Sequence, residues 1–572
     1  MATTGEKQQA SGAGEIGRQS MVLGGVQASF ERRVGLWGSS EFSRKLWSKD
    51  YTLWSPEPAA EITDRLGWLT LPDAMKEQAG EITEFARQVR DEGFRHVVLL
   101  GMGGSSLAPE VFQQTLGNAP GYPSLTVLDS THPAAVRATE RKIDLARTLF
   151  LVSSKSGTTI EPLSFFRYFW KQVSGRSASP GGQFAAITDT GTPLESLARE
   201  RGFRHCFAAT PDVGGRYSAL TAFGLVPAAL IGVDLDQLLD RSAAMKDACA
   251  PESRATANPG LALGAALGEL ALAGHDKVTF LTSPGLQAFP DWAEQLIAES
   301  LGKSGKGIVP IAGEPPGEPA VYGSDRVFVL LDLKGDPAGA ADSKVRALLS
   351  SGFPSIAIEV NRKADLAQEF FRWEMAIAAA GAVLGVHPFN QPDVELAKDL
   401  ARKAMARGNS GGDEAAATVI TEDVKAFGQQ IRDWIGAPQQ GRYVAIQAYL
   451  PATRETMASL QELRRMGRDK RKVATTVGFG PRFLHSTGQL HKGGPDTGIF
   501  LQLIDEPAED LPVPETDFTF GSLIRAQALG DYQALVERGR RVLRVNLGHD
   551  VAGGLIRLRK GFDSVLPGSV HD

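Results

Sequence analysis

Two short turns carry the groups from which a phosphate-binding site can be built. The run HVVLLGMGGSSLAP sets Gly101, Gly103 and Gly104 directly after an apolar strand, with Ser105 and Ser106 opening a helix. Glycines let a backbone approach a ligand closely, and a helix N-terminus offers unpaired N–H groups with partial positive charge. The second turn, TLFLVSSKSGTTIEP, gathers Ser153, Ser154, Ser156, Thr158 and Thr159 around Lys155 and Gly157. Such hydroxyls can donate to every oxygen of a phosphate monoester, while a lysine adds charge without a metal. An ordinary Ser/Thr-rich helix cap is the plain alternative, but two such turns on strands of one sheet favour the phosphate. A dinucleotide site needs G-x-G-x-x-G and a later acidic residue. GMGGSSL lacks the third glycine, although Asp129 ends the next apolar run. No G-x-x-x-x-G-K-[ST] occurs, so nucleotide hydrolysis is not indicated.

The elements that must position these turns follow an alternating rhythm. From Glu81 on, helical stretches such as EITEFARQVRDEG feed short apolar runs, HVVLLG, SLTVLD, TLFLVSS, FAAITD and RHCFAAT. This alternation predicts an α/β fold with a mainly parallel sheet and helices on both faces, a doubly wound arrangement. A second set begins near Lys277 with VTFLTS, RVFVLLDL and SIAIEV, and continues in VAIQAYL, VATTVGFG and IFLQLID. Two successive open sheets are therefore expected. The low-complexity stretch GNSGGDEAAATVITEDV reads as a mobile loop entering a helix. The expected division is a flexible tail over 1–20 and a wrapping segment over 21–80, where Trp37, Trp47, Trp54 and Trp68 crowd together. A first unit over 81–240 binds phosphate, a second spans 241–550, and 551–572 is a C-terminal tail. Open parallel sheets bind ligands beyond the carboxyl ends of their strands, which puts the weight on residues just after the apolar runs.

Composition narrows the classes. The chain has 572 residues, room for roughly three or four domains. Its 42% hydrophobic and 22% charged residues are ordinary globular usage. The net charge of −5 lacks the basic excess of a nucleic-acid or anionic-membrane binder. Two cysteines, Cys206 and Cys249, exclude a disulfide framework and a thiolate metal cluster. No apolar leader opens the sequence, and the long uncharged stretch Tyr217 to Val233 is broken by Gly224 and Pro227 and is too short to span a bilayer. A cytoplasmic enzyme with no membrane or nucleic-acid partner is expected.

Five segments in order, GMGGSSLAP, SSKSGTTIEP, VGGRYSALTAFGL, AESLGKSGKG and PFNQPDVELAK, resemble the signatures of glucose-6-phosphate isomerases built from sugar isomerase (SIS) domains. They span Gly101 to Lys398. The segments KLWSKDYTLW, DRLGWLTLP and GFGPRFLHSTGQLHKGGP are most similar to the isomerase half of bifunctional transaldolase/glucose-6-phosphate isomerases, without a transaldolase half. The resemblance implies two SIS-type sheets and an aldose–ketose isomerase. It would interconvert glucose 6-phosphate and fructose 6-phosphate through a cis-enediolate, in glycolysis and gluconeogenesis, with no metal or cofactor.

The same resemblance implies the site residues. Gly104, Ser105, Ser154, Lys155, Ser156 and Thr159 would hold the phosphate end. Glu299 would be the base; on a helix Trp292, Leu296 and Glu299 share a side, with Gln295 one turn before. Arg216, after Gly214 and Gly215, would stabilise the enediolate together with Lys155, an arginine staying charged in any environment. Gln391 would bind substrate and Lys398 take part in ring opening. Pro392 suits a first helical position, which would set Gln391 and Lys398 on one face. His485, in LHSTGQLHKGG, would open the ring with Glu161 orienting it, and His491 is the runner-up; here the histidine motif follows QPDVELAK, whereas in most members it comes first. No H-x-H or H-E-x-x-H spacing marks a metal site. Because family members often take the histidine from a neighbouring subunit, a homodimer is implied. A separate transaldolase partner, dual phosphoglucose/phosphomannose isomerase activity and a non-catalytic SIS-type regulator are the alternatives.

Overall fold

Among the residues that the computed structural model describes, 15–407, 418–419, 424–436 and 441–566, the apolar runs form three five-stranded sheets where the sequence pattern points to two. The chain's first strand, β1 (Gln19–Val22), belongs to the second sheet. The first sheet contains β2 (His96–Gly101), β3 (Ser124–Leu128), β4 (Thr148–Ser153), β5 (Phe184–Thr188) and β6 (His205–Ala208), in the order β3-β2-β4-β5-β6. All its pairings are parallel. Strand order reverses between β2 and β4, so the two hydroxyl-rich turns leave the sheet side by side at its topological switch point.

The second sheet adds β7 (Lys277–Thr282), β8 (Val309–Ile311), β9 (Arg326–Leu333) and β10 (Ser355–Val360), in the order β1-β10-β9-β7-β8. Only β1 runs antiparallel there. The three-residue β8 carries Pro310 and sits at the edge, where a missing N–H is tolerated. The third sheet comprises β11 (Thr418–Val419), β12 (Tyr443–Tyr449), β13 (Ala474–Phe479), β14 (Gly498–Ile504) and β15 (Arg541–Asn546), in the order β11-β15-β14-β12-β13, all parallel. Apart from the added edge strands, the second and third sheets have the same winding. The runs VAIQAYL, VATTVGFG and IFLQLID are strands as expected, but they pair with one another and not with β7–β10. A strand's apolar run announces the strand, not its partner, which is why sequence alone merges the two sheets.

The first and second units share one core, closed by the N-terminal segment. Trp37, Trp54 and Trp68 are buried in it. Trp54 Nε1 donates to Ala378 O at 2.8 Å and Trp47 Nε1 to Cys249 O at 2.8 Å, so the indoles tie the segment down by their polar ends as well as by area. Residues 19–20, expected in a free tail, pair in register with β10. Likewise 551–565, expected in a tail, is a helix that buries Leu555, Leu558 and Phe562 in the third sheet's core. Its apolar positions recur at helical spacing. The stretch GNSGGDEAAATVITEDV lies largely outside the described residues. Both cysteines are free, and burial pushes the Cys249 thiol up to about 12. No helix among the described residues is long and apolar enough to cross a membrane.

Candidate active site

A cleft of about 380 Å³ opens where the three units meet, over the carboxyl ends of β2 and β4. It is lined by Gly104, Ser105, Ser154, Lys155, Ser156, Thr159, Gln295 and Gln391, and by Arg216, Glu299, Lys398 and His485. Glu161 stands directly behind His485. Thirteen of the site residues expected from the sequence, all but the runner-up His491, thus converge within one cleft or its wall.

The first turn is shaped by contact. Gly103 has φ +54°, and a Cβ there would meet the His485 carbonyl at 2.8 Å; a Cβ on Gly104 would lie 1.9 Å from Gly215 O. Glycine at these two positions lets the histidine turn and the arginine turn press against the phosphate turn. In the second turn Ser154 Oγ donates to Thr159 Oγ1 at 3.0 Å, and Ser156 Oγ lies 2.9 Å from Thr158 Oγ1. Ser153, fully buried in the cleft floor, has no hydrogen-bond partner for its hydroxyl among the described residues. Lys155 departs from expectation: its Nζ donates to Asp189 at 2.8 Å and to Thr210 O at 3.2 Å. The neighbouring carboxylate claims the charge that the sequence assigns to the enediolate.

Arg216 is the cation at the centre. It is 2% exposed, and four of the guanidinium's five N–H groups are held by the protein. Nε donates to Ser300 Oγ (2.8 Å), Nη1 to Gln391 Oε1 (2.9 Å), and Nη2 to Pro388 O (2.7 Å) and Asn390 O (3.0 Å). The remaining N–H is on Nη1, which lies 3.7 Å from Glu299 Oε2. Fixed donors of this kind need no reorganisation when charge develops beside them.

Glu299 comes from the helix Phe289–Leu301, whose apolar side is buried and whose phase leaves this carboxylate 13% exposed at the cleft. Gln295, one turn earlier, donates from Nε2 both to Glu299 Oε2 (3.2 Å) and to His485 O (2.7 Å). Its Oε1 is buried with no partner among the described residues, leaving an acceptor in the cleft wall. Burial, and next the charge of Arg216, hold the nearby Lys303 well below the ordinary lysine range.

His485 is carried by a short turn, Arg482–His485, after β13. Its Nε2 lies 2.9 Å from Glu161 Oε1, so an ionised Glu161 fixes the Nε2–H tautomer and leaves Nδ1 for a ligand. Burial raises the Glu161 carboxyl, but the charge of His485 and its hydrogen bond outweigh that, and the group ends below the usual carboxylate range. Gln527 Nε2 donates to the same Oε1 at 2.7 Å, and Thr131 Oγ1 donates to Gln527 Oε1 at 2.7 Å. Arg482 anchors the turn from below by pairing with Glu110 and, at 3.1 Å, with Asp129. Asp129, the acidic residue a dinucleotide site would use, is therefore engaged in holding the histidine turn. Gln527, Thr131 and Arg482 belong to no motif, and no spacing signals them.

The remaining assignments divide. His491 is buried away from the cleft beside Gln447, its Nδ1 3.2 Å from Gln447 Nε2. Lys398 lines the cleft mouth with its side chain 49% exposed, and its Nζ donates to Glu395 Oε1 at 2.7 Å. Its contact is a neighbour on its own helix, not His485. That helix begins at Val394, after Pro392, so Gln391 precedes it and does not share its face. His485 belongs to the same chain as the cradle, so completing the cleft gives no argument for a second subunit. Among the described residues no group of three or more His, Cys, Asp or Glu side chains could hold a metal ion.

The phosphoglucose isomerase family model matches residues 73–311, the stretch from the N-terminal helices through β8. A glucose-6-phosphate isomerase of Staphylococcus saprophyticus is 30% identical over 386 residues, 59% of this chain and 86% of that protein. One from Mycoplasmopsis pulmonis is 29% identical over 60% of this chain and 90% of its own. The solved structure of a glucose-6-phosphate isomerase from Chlamydia trachomatis shares the fold, with a TM-score of 0.58 at 21% identity, covering 69% of this chain and 89% of that one. With similarity reaching across nearly the whole length of such relatives, the chain belongs to the glucose-6-phosphate isomerase family.

Proposed function

We propose that this protein interconverts glucose 6-phosphate and fructose 6-phosphate by proton transfer between C2 and C1. The single observation that carries this reading is geometric: a hydroxyl cradle, a buried arginine, a carboxylate and a histidine–carboxylate pair line one cleft. In it the phosphate accepts from the backbone at Gly104 and from Ser105, Ser154, Ser156 and Thr159, and Ser153 supplies one further hydroxyl. His485 Nδ1 accepts the O1 hydroxyl proton, Glu161 with Gln527 stabilises the imidazolium so formed, and the proton passes to the ring oxygen as the C1–O5 bond breaks. Glu299 then removes the proton from C2 as the electron pair shifts onto O1, the O2 hydroxyl proton passes to O1, and Glu299 returns its proton to C1 as the C2 carbonyl forms. Arg216 faces the developing oxyanion. Lys398 acts at the mouth, exchanging Glu395 for substrate oxygen. Lys155 is assigned to the phosphate end alone, because Asp189 offsets its charge.

General acid–base transfer and preorganised electrostatics are the two large contributions expected of such a site. No step in this scheme calls for a metal or cofactor. The family relationship supports a glycolytic and gluconeogenic role in the cytoplasm. A homodimer and a separate transaldolase partner remain parts of the proposal that sizing of the purified protein, alone and mixed with a transaldolase, would test. The function is tested by coupling fructose 6-phosphate consumption to glucose-6-phosphate dehydrogenase in the presence of a chelator, with mannose 6-phosphate as the parallel substrate. Turnover of fructose 6-phosphate that survives chelation and disappears in Glu299→Gln supports the reading; undiminished turnover in that variant defeats the assigned base.

A further inference from the structure

A second cavity, of about 290 Å³, lies at the seam of the second and third sheets. Its lining shares no residue with the catalytic cleft. β13 relates the two places: Thr475, near its start, lines the cavity, whereas the turn bearing His485 follows its end. The size is at the lower end of ordinary small-molecule pockets, about 300–1,000 Å³.

The chemistry of the wall is one-sided. Ile446, Leu501, Leu463 and Phe562 supply an apolar surface. Set in it are three groups with donors that have no acceptor among the described residues: Trp434 Nε1, Thr475 Oγ1 and Arg471 Nε. Trp434 and Thr475 are 5% and 1% exposed, so bulk water does not serve them freely. An indole N–H and a guanidinium N–H can only donate. Arg442, Arg471 and Lys472 also line the space, and none of them makes an ion pair among the described residues. The one acid in the wall among the described residues, Asp325, is engaged by Lys277 at 3.7 Å. Unpartnered donors, unneutralised cations and an apolar body together describe the complement of a small amphipathic anion.

We propose that this cavity binds a small apolar organic carboxylate, its body against Ile446, Leu501 and Phe562 and its carboxylate among the donors of Trp434, Thr475 and Arg471. Calorimetric titration of the full chain with octanoate, 1-octanol and inorganic phosphate tests it. Octanoate is expected to bind saturably at one site, 1-octanol at least about tenfold more weakly, and phosphate without displacing octanoate. Losing one hydrogen bond to a charged group corresponds to about a tenfold weakening, so Arg471→Gln and Trp434→Phe should each weaken octanoate by that factor. The cradle variant Ser154→Ala with Thr159→Val should leave octanoate affinity as it is. Absence of saturable octanoate binding, equal affinity for 1-octanol, unchanged affinity in Arg471→Gln, or loss of octanoate binding in the cradle variant would each overturn the proposal. Should Trp434→Phe fail to fold, Arg471→Gln and Lys472→Gln, changes at side chains outside the core, decide the question.

Discussion

The two halves of the cleft are built on different principles. The phosphate cradle is local: its hydroxyls and glycines come from two turns, 101–106 and 153–159, leaving adjacent strands of one sheet. The acid–base half is assembled across the chain. Glu161 meets His485 over 324 positions and Gln527 over 366, and Arg216 meets Gln391 over 175. A cradle of backbone and hydroxyls tolerates small displacements because each donor is one of several. A base, a cation and an imidazole must each stand at one place, and their partners lie on other units.

The contrast predicts separable failures. The largest effect is expected from Glu299→Gln, which removes the base and keeps the Gln295 hydrogen bond. kcat for fructose 6-phosphate should fall by about 10²–10⁴-fold with KM little changed. Ser154→Ala combined with Thr159→Val should act the other way, raising KM by about 100-fold while sparing most of kcat, since hydrogen bonds to a charged phosphate contribute about 1.5–3 kcal/mol each. A kcat loss as deep as that of Glu299→Gln would erase the distinction between the halves.

Gln527→Leu probes a residue that touches no substrate in this scheme. It leaves Glu161 with His485 alone. A drop in kcat of about tenfold is expected, with KM unchanged and a displaced limb in the pH–rate profile, because one hydrogen bond to the carboxylate is lost. A purely structural role for Gln527 would lower thermal stability and leave that profile where it was.

The smallest effect concerns acid stability. Against burial, the charge of His485 and its hydrogen bond hold the folded Glu161 carboxyl below the ordinary glutamate range. Its ionised form is thus favoured by folding, and the stability this contributes is fully present above about pH 4.5 and lost as pH falls through the folded value. Denaturant titrations across the acid range should show a shallower loss in Glu161→Gln than in the parent chain. An identical acid limb in both would mean that His485 and Glu161 are not paired as described.

Much of this site was legible in the sequence because its motifs are local. Glycines after a strand, hydroxyls before a helix and the phase of Glu299 on its helix are set by neighbours within a turn or two, and family resemblance supplied the roles. Lys155 and Lys398 show what a motif leaves out: each has a nearby carboxylate, Asp189 and Glu395, that the motif does not mention. Gln527, Thr131 and Arg482 stayed invisible because ordinary polar residues on ordinary elements acquire meaning only from what faces them.

By itself, then, the chain's sequence determined the strands, the helices between them and the two turns at the switch point of the first sheet, since these follow from hydrophobic period and backbone chemistry over short spans. Only the tertiary structure decided that the late strands close a third sheet, that His485 and not His491 reaches the cleft, and that Arg216 is held by four bonds beside Glu299. Those outcomes depend on which distant surfaces pack together, and packing partners are chosen by the shape and burial of whole faces, which no short run of residues encodes.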